Sequence, residues 1–255
     1  MKPRKTDLSV YNELHFERPP IAVKFLFRKP EGIKQLEGSM ALCAMIREAQ
    51  AGKEAFYATV ENEDCVGKLP LGWIDAPPAV ESGQMGPEFD IYDEPRANAA
   101  IYQHVYKIAR GTVNYVVFSP LDKVTFEPDL LILAAGIDTA EIVLRALSYS
   151  TGEPWMTMGT PVLQCSWLFA YPYITGKVNY CITGIGHGMR SKEIFPKGLI
   201  LMSIPYQKIP MVTQNLNEVS REPWCYTIGK EKFAERELEI LNKFGGVTRD
   251  GEVAQ

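Results

Sequence analysis

No Cys-x-x-Cys pair occurs in this chain, which removes the zinc knuckle and the ferredoxin-type cysteine run. A Walker loop, an HExxH helix and a Ser-His-Asp pattern are also missing. Apolar runs are short. The longest, residues 115–118 and 130–136, fall far below the roughly 20 residues of a spanning helix, so no membrane segment is expected. The basic start lacks an apolar core, and no secretory signal is expected. Charge of one sign is scarce as well: 27 Lys and Arg against 31 Asp and Glu leave a net charge of −4. The basic residues form no run, which argues against sequence-independent binding of nucleic acid. Histidine is rare, with three in the chain. His15 and His104 lie within expected helices and read as structural, whereas His187 stands among glycines and is the candidate ligand or proton donor.

What is present is a chain of globular composition, long enough at 255 residues to bury a substantial core. Disorder is expected only at its ends, residues 1–5 and 248–255. Five cysteines stand singly at 43, 65, 165, 181 and 225. An odd number in a large chain without a signal fits reduced thiols in the cytosol rather than a disulfide scaffold.

Hydrophobic periodicity places helices at 8–16, 39–50, 94–109, 139–149, 205–216 and 232–244, with one or two helical turns at 165–173. The second of these carries Leu42, Met45, Ile46 and Ala49 on one face, and the third Ala97, Ile101, Val105 and Ile108. Strands are expected at 21–27, 54–60, 113–118, 130–135, 178–183 and 199–204. Residues 64–86, rich in Gly and Pro, read as an irregular loop of active-site size. Alternating strands and helices predict an α/β fold, with α+β as the alternative because links such as 120–128 are too short for a parallel crossover. No repeat and no linker appears. The expected organisation is an N-terminal arm at 1–18, a single compact domain with a mixed sheet flanked by helices at 19–245, and a flexible tail at 246–255.

Free cysteine is often a small buried hydrophobe, and Cys43 borders the apolar stripe of its helix. Local context favours more for three others. Cys65 follows a strand and opens a Gly-containing loop, Cys165 begins a helical stretch, and Cys181 leads into Thr183-Gly-Ile-Gly-His-Gly-Met-Arg190. Spacings of 22, 100 and 16 residues between these four cysteines do not by themselves define a site. The glycine run lacks the third glycine of GxGxxG and an acidic residue at the required distance, so it is no dinucleotide site. Gly184 and Gly186 could admit backbone N–H groups to an anion or cofactor with Arg190 assisting, or form a plain turn. Arg47 lies one helical turn after Cys43, where it would offset thiolate charge or make a surface ion pair. Tyr57 and Glu61 are pocket-wall candidates.

Several segments in order carry a family resemblance: Pro19-Pro-Ile-Ala-Val-Lys-Phe25, Cys43-Ala-Met-Ile-Arg47, Phe56-Tyr-Ala-Thr-Val-Glu61 followed by Cys65, Ser119-Pro-Leu121, Phe126-Glu-Pro-Asp-Leu-Leu-Ile132, and Cys165 with Pro172-Tyr-Ile-Thr-Gly176. From about residue 19 to 205 the chain resembles the uncharacterised ArCR family (domain of unknown function 169). The resemblance implies cysteines in common at Cys43, Cys65, Cys165 and Cys181, with Cys225 outside the set. It departs where the family tends to Cys-x-Gly-Gly and this chain has Cys65-Val-Gly-Lys68, and in the extended 184–188 run before Arg190.

That pattern prompts the leading expectation: a cytosolic redox or cofactor-handling protein of anaerobic type. The four cysteines would ligate a [4Fe–4S] cluster, with Arg47, Gly184, Gly186, His187 and Arg190 around the cofactor and reductive chemistry on a small molecule. Zinc is the competing occupant. A second reading is a non-catalytic module in which Trp155, Trp167, Tyr171 and Tyr173 wall a pocket for a flat ligand, a tetrapyrrole or flavin. A third is thiol chemistry at Cys65 alone. Substrate, electron-transfer partner and any homo-oligomer stay open.

Overall fold

The computed structural model describes Met1 and residues 4–245; the tail expected at 246–255 lies outside the described residues, as do residues 2 and 3. The chain divides into two units, Met1–Asn217 and Glu218–Gln255.

The first unit is built on a mixed sheet of seven strands in the order β2-β3-β4-β1-β5-β7-β6. These are β1 (Arg18–Leu26), β2 (Lys34–Gln35), β3 (Phe56–Ala58), β4 (Tyr115–Pro120), β5 (Leu130–Ala135), β6 (Asn179–Ile182) and β7 (Ile200–Pro205). Among the described strands β2 and β3 pair in parallel and the remaining pairs are antiparallel, while an isolated parallel bridge joins Met40 to Glu63. The class is therefore mixed α/β, and the short 120–128 link is explained because β1 lies between β4 and β5.

The prolines expected to precede the first strand lie inside it. Pro19 and Pro20 have no N–H to give a ladder, and the β1–β5 register shifts between Arg18 and Ile21 where they fall. The expected helix before them is a short 3-10 turn, Ser9–Glu13.

Helices in the first unit are α1 (Leu42–Ala51), α2 (Pro78–Glu81), α3 (Met85–Glu88), α4 (Pro95–His104), α5 (Ile137–Ser148), α6 (Tyr171–Thr175), α7 (His187–Ser191) and α8 (Ile209–Glu218), the last ending at the unit boundary. All six residues of β5 are buried, so both faces of the sheet are covered there. On one face Leu42, Met45, Ile46 and Ala49 of α1 join Ile21, Val23, Phe25, Val116, Phe118 and Ile132 in a single core. The stripe read from the sequence for α1 is the stripe that packs.

That for residues 94–109 is not. The helix stops at His104, Ala97 is exposed, and the one buried residue of α4 is the polar Asn98. Val105 and Ile108 are buried from the irregular chain beyond it, and His104 is exposed.

The second unit holds α9 (Trp224–Thr227) and α10 (Lys230–Lys243), with Trp224 and Phe233 stacked at 6.3 Å. Among the described residues no helix is long and apolar enough to cross a membrane.

Phe118 lies at the heart of the first unit, fully buried, 5.3 Å from the Phe56 ring and 6.2 Å from Phe169. Phe118→Ala should cost about 3–5 kcal/mol in urea unfolding. Ile137→Ala, at a residue 74% exposed, should stay within about 0.5 kcal/mol of the parent.

Candidate functional site

The site begins with an uncapped helix. Ala41 occupies the N-cap position of α1 and has no side chain able to accept a hydrogen bond. Glu63, distant in sequence and 1% exposed, takes the cap's role: its Oε1 accepts the Leu42 N–H at 3.1 Å. Its Oε2 accepts the N–H groups of Cys65 at 3.0 Å and Lys68 at 3.2 Å. One buried carboxyl thus fastens the start of α1, where Cys43 is the second residue, to the loop that carries Cys65. Backbone bonds between Met40 and residues 62 and 64 reinforce the junction.

Cys165 reaches the same place from another direction. It immediately precedes a π-helical turn, Ser166–Ala170, that runs into α6. Such turns recur at functional sites because the widened helix re-aims its side chains. Ser166 Oγ donates to the Tyr106 carbonyl at 2.6 Å and pins this turn. The loop before α7 closes the far side, held by the His187 N–H donating to the Pro161 carbonyl at 2.9 Å.

Between these segments lies a cavity of about 110 Å³, against the roughly 10–15 Å³ that one water occupies on the same measure. Cys43, Cys65 and Cys165 line it with Glu63, His187 and Lys192, against an apolar wall that includes Met85, Phe89 and Leu163. The Phe89 and His187 rings are 5.1 Å apart.

The thiols act on one another. Burial, and then the neighbouring Cys65, push Cys43 up to about 12. Burial, followed by Cys43, Glu63 and Cys65, pushes Cys165 well above the usual thiol range. Burial likewise raises Glu63 to about 7, outweighing the three N–H donors that favour its anion. Burial alone would lower the Lys192 ammonium, yet Cys65, Asp64 and Cys43 carry it above its ordinary value, and its side chain hydrogen-bonds Cys65.

The remaining candidates lie elsewhere. Cys181 is on β6, outside the cavity lining, and its thiol is raised to about 12 by burial alone, with no contribution from the other cysteines. Gly186 lines the cavity, but Arg47, Gly184 and Arg190 do not, and Arg47 and Arg190 are exposed. Cys225 falls in the second unit. Of the four aromatics proposed for a flat ligand, Trp167 and Tyr171 are core residues beside Tyr106, Tyr173 packs on Phe25, and Trp155 is exposed; none lines the cavity. Tyr57 is buried against Tyr115 and Glu61 is exposed.

Glu63, Lys192, Asn98 and Gln164 were missed by sequence reading. Glu63 lies two residues before Cys65, and a lone carboxyl beside a cysteine on a loop carries no motif.

Among the described residues no group of three or more His, Cys, Asp or Glu side chains is placed to hold a single metal ion, so the closed four-ligand set of a structural zinc is not present. A cluster asks for thiols spread around a volume rather than closed on a point, and the cavity supplies three of these, not four.

Because folded Glu63 keeps its proton up to about 7 while an unfolded Glu loses it near 4.5, the native state holds the extra proton between those values. Stability contributed by this group is full below about 4.5 and falls as pH rises to about 7, on the order of 3 kcal/mol in all. Urea unfolding across that window should show the decline in the parent chain and its loss in Glu63→Gln, whose amide does not titrate.

Comparison with curated proteins and with solved structures finds no match. A family model does match, over residues 9–215, and it covers the sheet and every segment that lines the cavity. The chain belongs to the uncharacterised ArCR family, domain of unknown function 169.

Proposed function

We propose that the chain is a cytosolic redox or cofactor-handling protein whose Cys43, Cys65 and Cys165 hold an iron–sulfur cluster in this cavity for reductive chemistry on a small molecule. The observation that carries the reading is the convergence of three thiols, drawn from segments 22 and 100 residues apart, on one cavity with an apolar wall. A core that merely packs cysteines as small hydrophobes has no reason to gather them around open space. When bound, the cluster supplies one-electron transfer.

The chain's own residues do the rest. Glu63 fixes the backbones that bear Cys43 and Cys65 and so sets the spacing of the two thiols. Lys192 places a cation beside Cys65 and offsets the negative charge that thiolate ligands bring. Phe89, Met85 and Leu163 give the centre an apolar wall, beside which electrostatic interactions are stronger than in water. Cys181 is left out of the ligand set, a change from the four-cysteine expectation.

Anaerobic purification followed by iron, zinc and acid-labile sulfide analysis tests the assignment. The expected result is about four irons and four sulfides per chain with broad absorption in the blue. Ser at 43, 65 or 165 should each lower the iron content several-fold, while Cys181→Ser and Cys225→Ser keep it. A colourless protein with one zinc, or no metal after reconstitution, overturns the proposal.

A further inference from the structure

Two side-chain amides in the cavity wall each keep an oxygen without a hydrogen-bond partner. Asn98 and Gln164 both line it, and at 1% and 6% exposure both are buried. Their amide nitrogens are committed: Asn98 Nδ2 donates to the Gly83 carbonyl at 3.1 Å, and Gln164 Nε2 donates to the Thr160 carbonyl. A backbone carbonyl can only accept, so these bonds fix which end of each amide is nitrogen. The oxygens, Asn98 Oδ1 and Gln164 Oε1, have no hydrogen-bond partner.

The fold makes room for both amides. A Cβ on Gly86 would stand 2.6 Å from Asn98 Cβ, and a Cβ on Gly186 would stand 2.4 Å from Gln164 Cγ. Close approach by glycine backbone is thus what allows each amide to sit in the wall. Gln164 adjoins Cys165 in the chain, and both line the cavity.

Buried polar groups in native proteins find partners, and each exception asks for an explanation, of which a water, ion or ligand is one. We propose that the cavity takes a small neutral molecule presenting two N–H or O–H donors, one to Asn98 Oδ1 and one to Gln164 Oε1. A neutral cyclic amide or urea has this chemistry. An anionic group is disfavoured against two carbonyl oxygens and is left to Lys192, the one ammonium in the lining. Specificity follows from the missing partner: a ligand that lacks a donor leaves a buried acceptor unpaired, and such sites discriminate strongly between otherwise equal shapes. The inference deepens the proposed function by naming the substrate class, and it rests on that reading only in taking the same cavity as the site.

The test uses 2-imidazolidinone, a cyclic urea with two N–H donors, and its 1,3-dimethyl analogue, which has none. Saturation-transfer NMR on the full chain should show binding of the first and not of the second. Asn98→Leu and Gln164→Met should each weaken 2-imidazolidinone about tenfold, the scale of one buried hydrogen bond. The comparison of the two ureas on the parent chain needs no variant, so a substitution that fails to fold leaves the answer intact. Equal binding of both ureas, or binding of neither, overturns the inference. Run on protein as isolated and after metal removal, the experiment separates the two readings. Selective urea binding by a chain that never loads iron removes the cluster and keeps the acceptors; an iron-loaded chain indifferent to methylation does the reverse.

Discussion

Everything at the cavity depends on one carboxyl group satisfying three backbone donors. Glu63 accepts from Leu42, Cys65 and Lys68, and without it α1 would start on an alanine cap with its first N–H unsatisfied. The same bonds set the distance between the element bearing Cys43 and the loop bearing Cys65. They also explain the glycine between the latter two donors. A Cβ on Gly67 would lie 2.8 Å from Glu63 Oε1 and 2.9 Å from Leu42 Cβ, so no other residue fits without moving the carboxyl. Lys68, which follows that glycine, meets the carboxyl through its N–H, a donor that any residue but proline supplies.

The glycines of 184–188 have a different meaning from the one their sequence suggests. A run of that kind invites an anion-binding reading, but close packing accounts for Gly184 and Gly186, while a Cβ on Gly188 would meet nothing within 4 Å. Gly186 exists because Gln164 lies against it, and Gly184 adopts φ +88 over the side chain of Lys197. The positive charge that an anion would need comes from Lys192 instead, one turn along the same segment. Arg190, on the intervening turn, is exposed and outside the lining.

Much of the fold was legible because its signals are local. The stripe of α1, the wholly apolar β5 and the positions of β4 and β7 follow from period and composition. One failure comes from reading a polar residue as surface. Asn98 was passed over beside Ala97 and Ile101, yet it is the one α4 residue turned fully inward. Tertiary hydrogen bonding to the Gly83 carbonyl decides its place, and no hydrophobic period reports that. For the site, context around Cys65 and Cys165 pointed correctly to element ends. The same context, a lead into the glycine run, also favours Cys181 in the sequence. Within the structure it stands mid-strand, paired in register with Leu201, whereas Cys43, Cys65 and Cys165 each stand at the start of a helical segment.

That difference bears on chemistry. A cysteine at the start of a helical segment is positioned by the backbone bonds that begin the segment, and its side chain is free to face open space; one in a strand shares a sheet surface with its neighbours and packs. The three cavity thiols and Glu63 make four acidic groups facing one ammonium, and burial resists the ionisation of Cys43, Cys165 and Glu63. Such a cavity stays neutral in one of two ways. It retains its protons, or it exchanges them for positive charge brought in from outside, and the apolar wall makes partial compensation costly. A soft, multiply charged centre that binds thiolate and releases protons as it enters meets that condition directly.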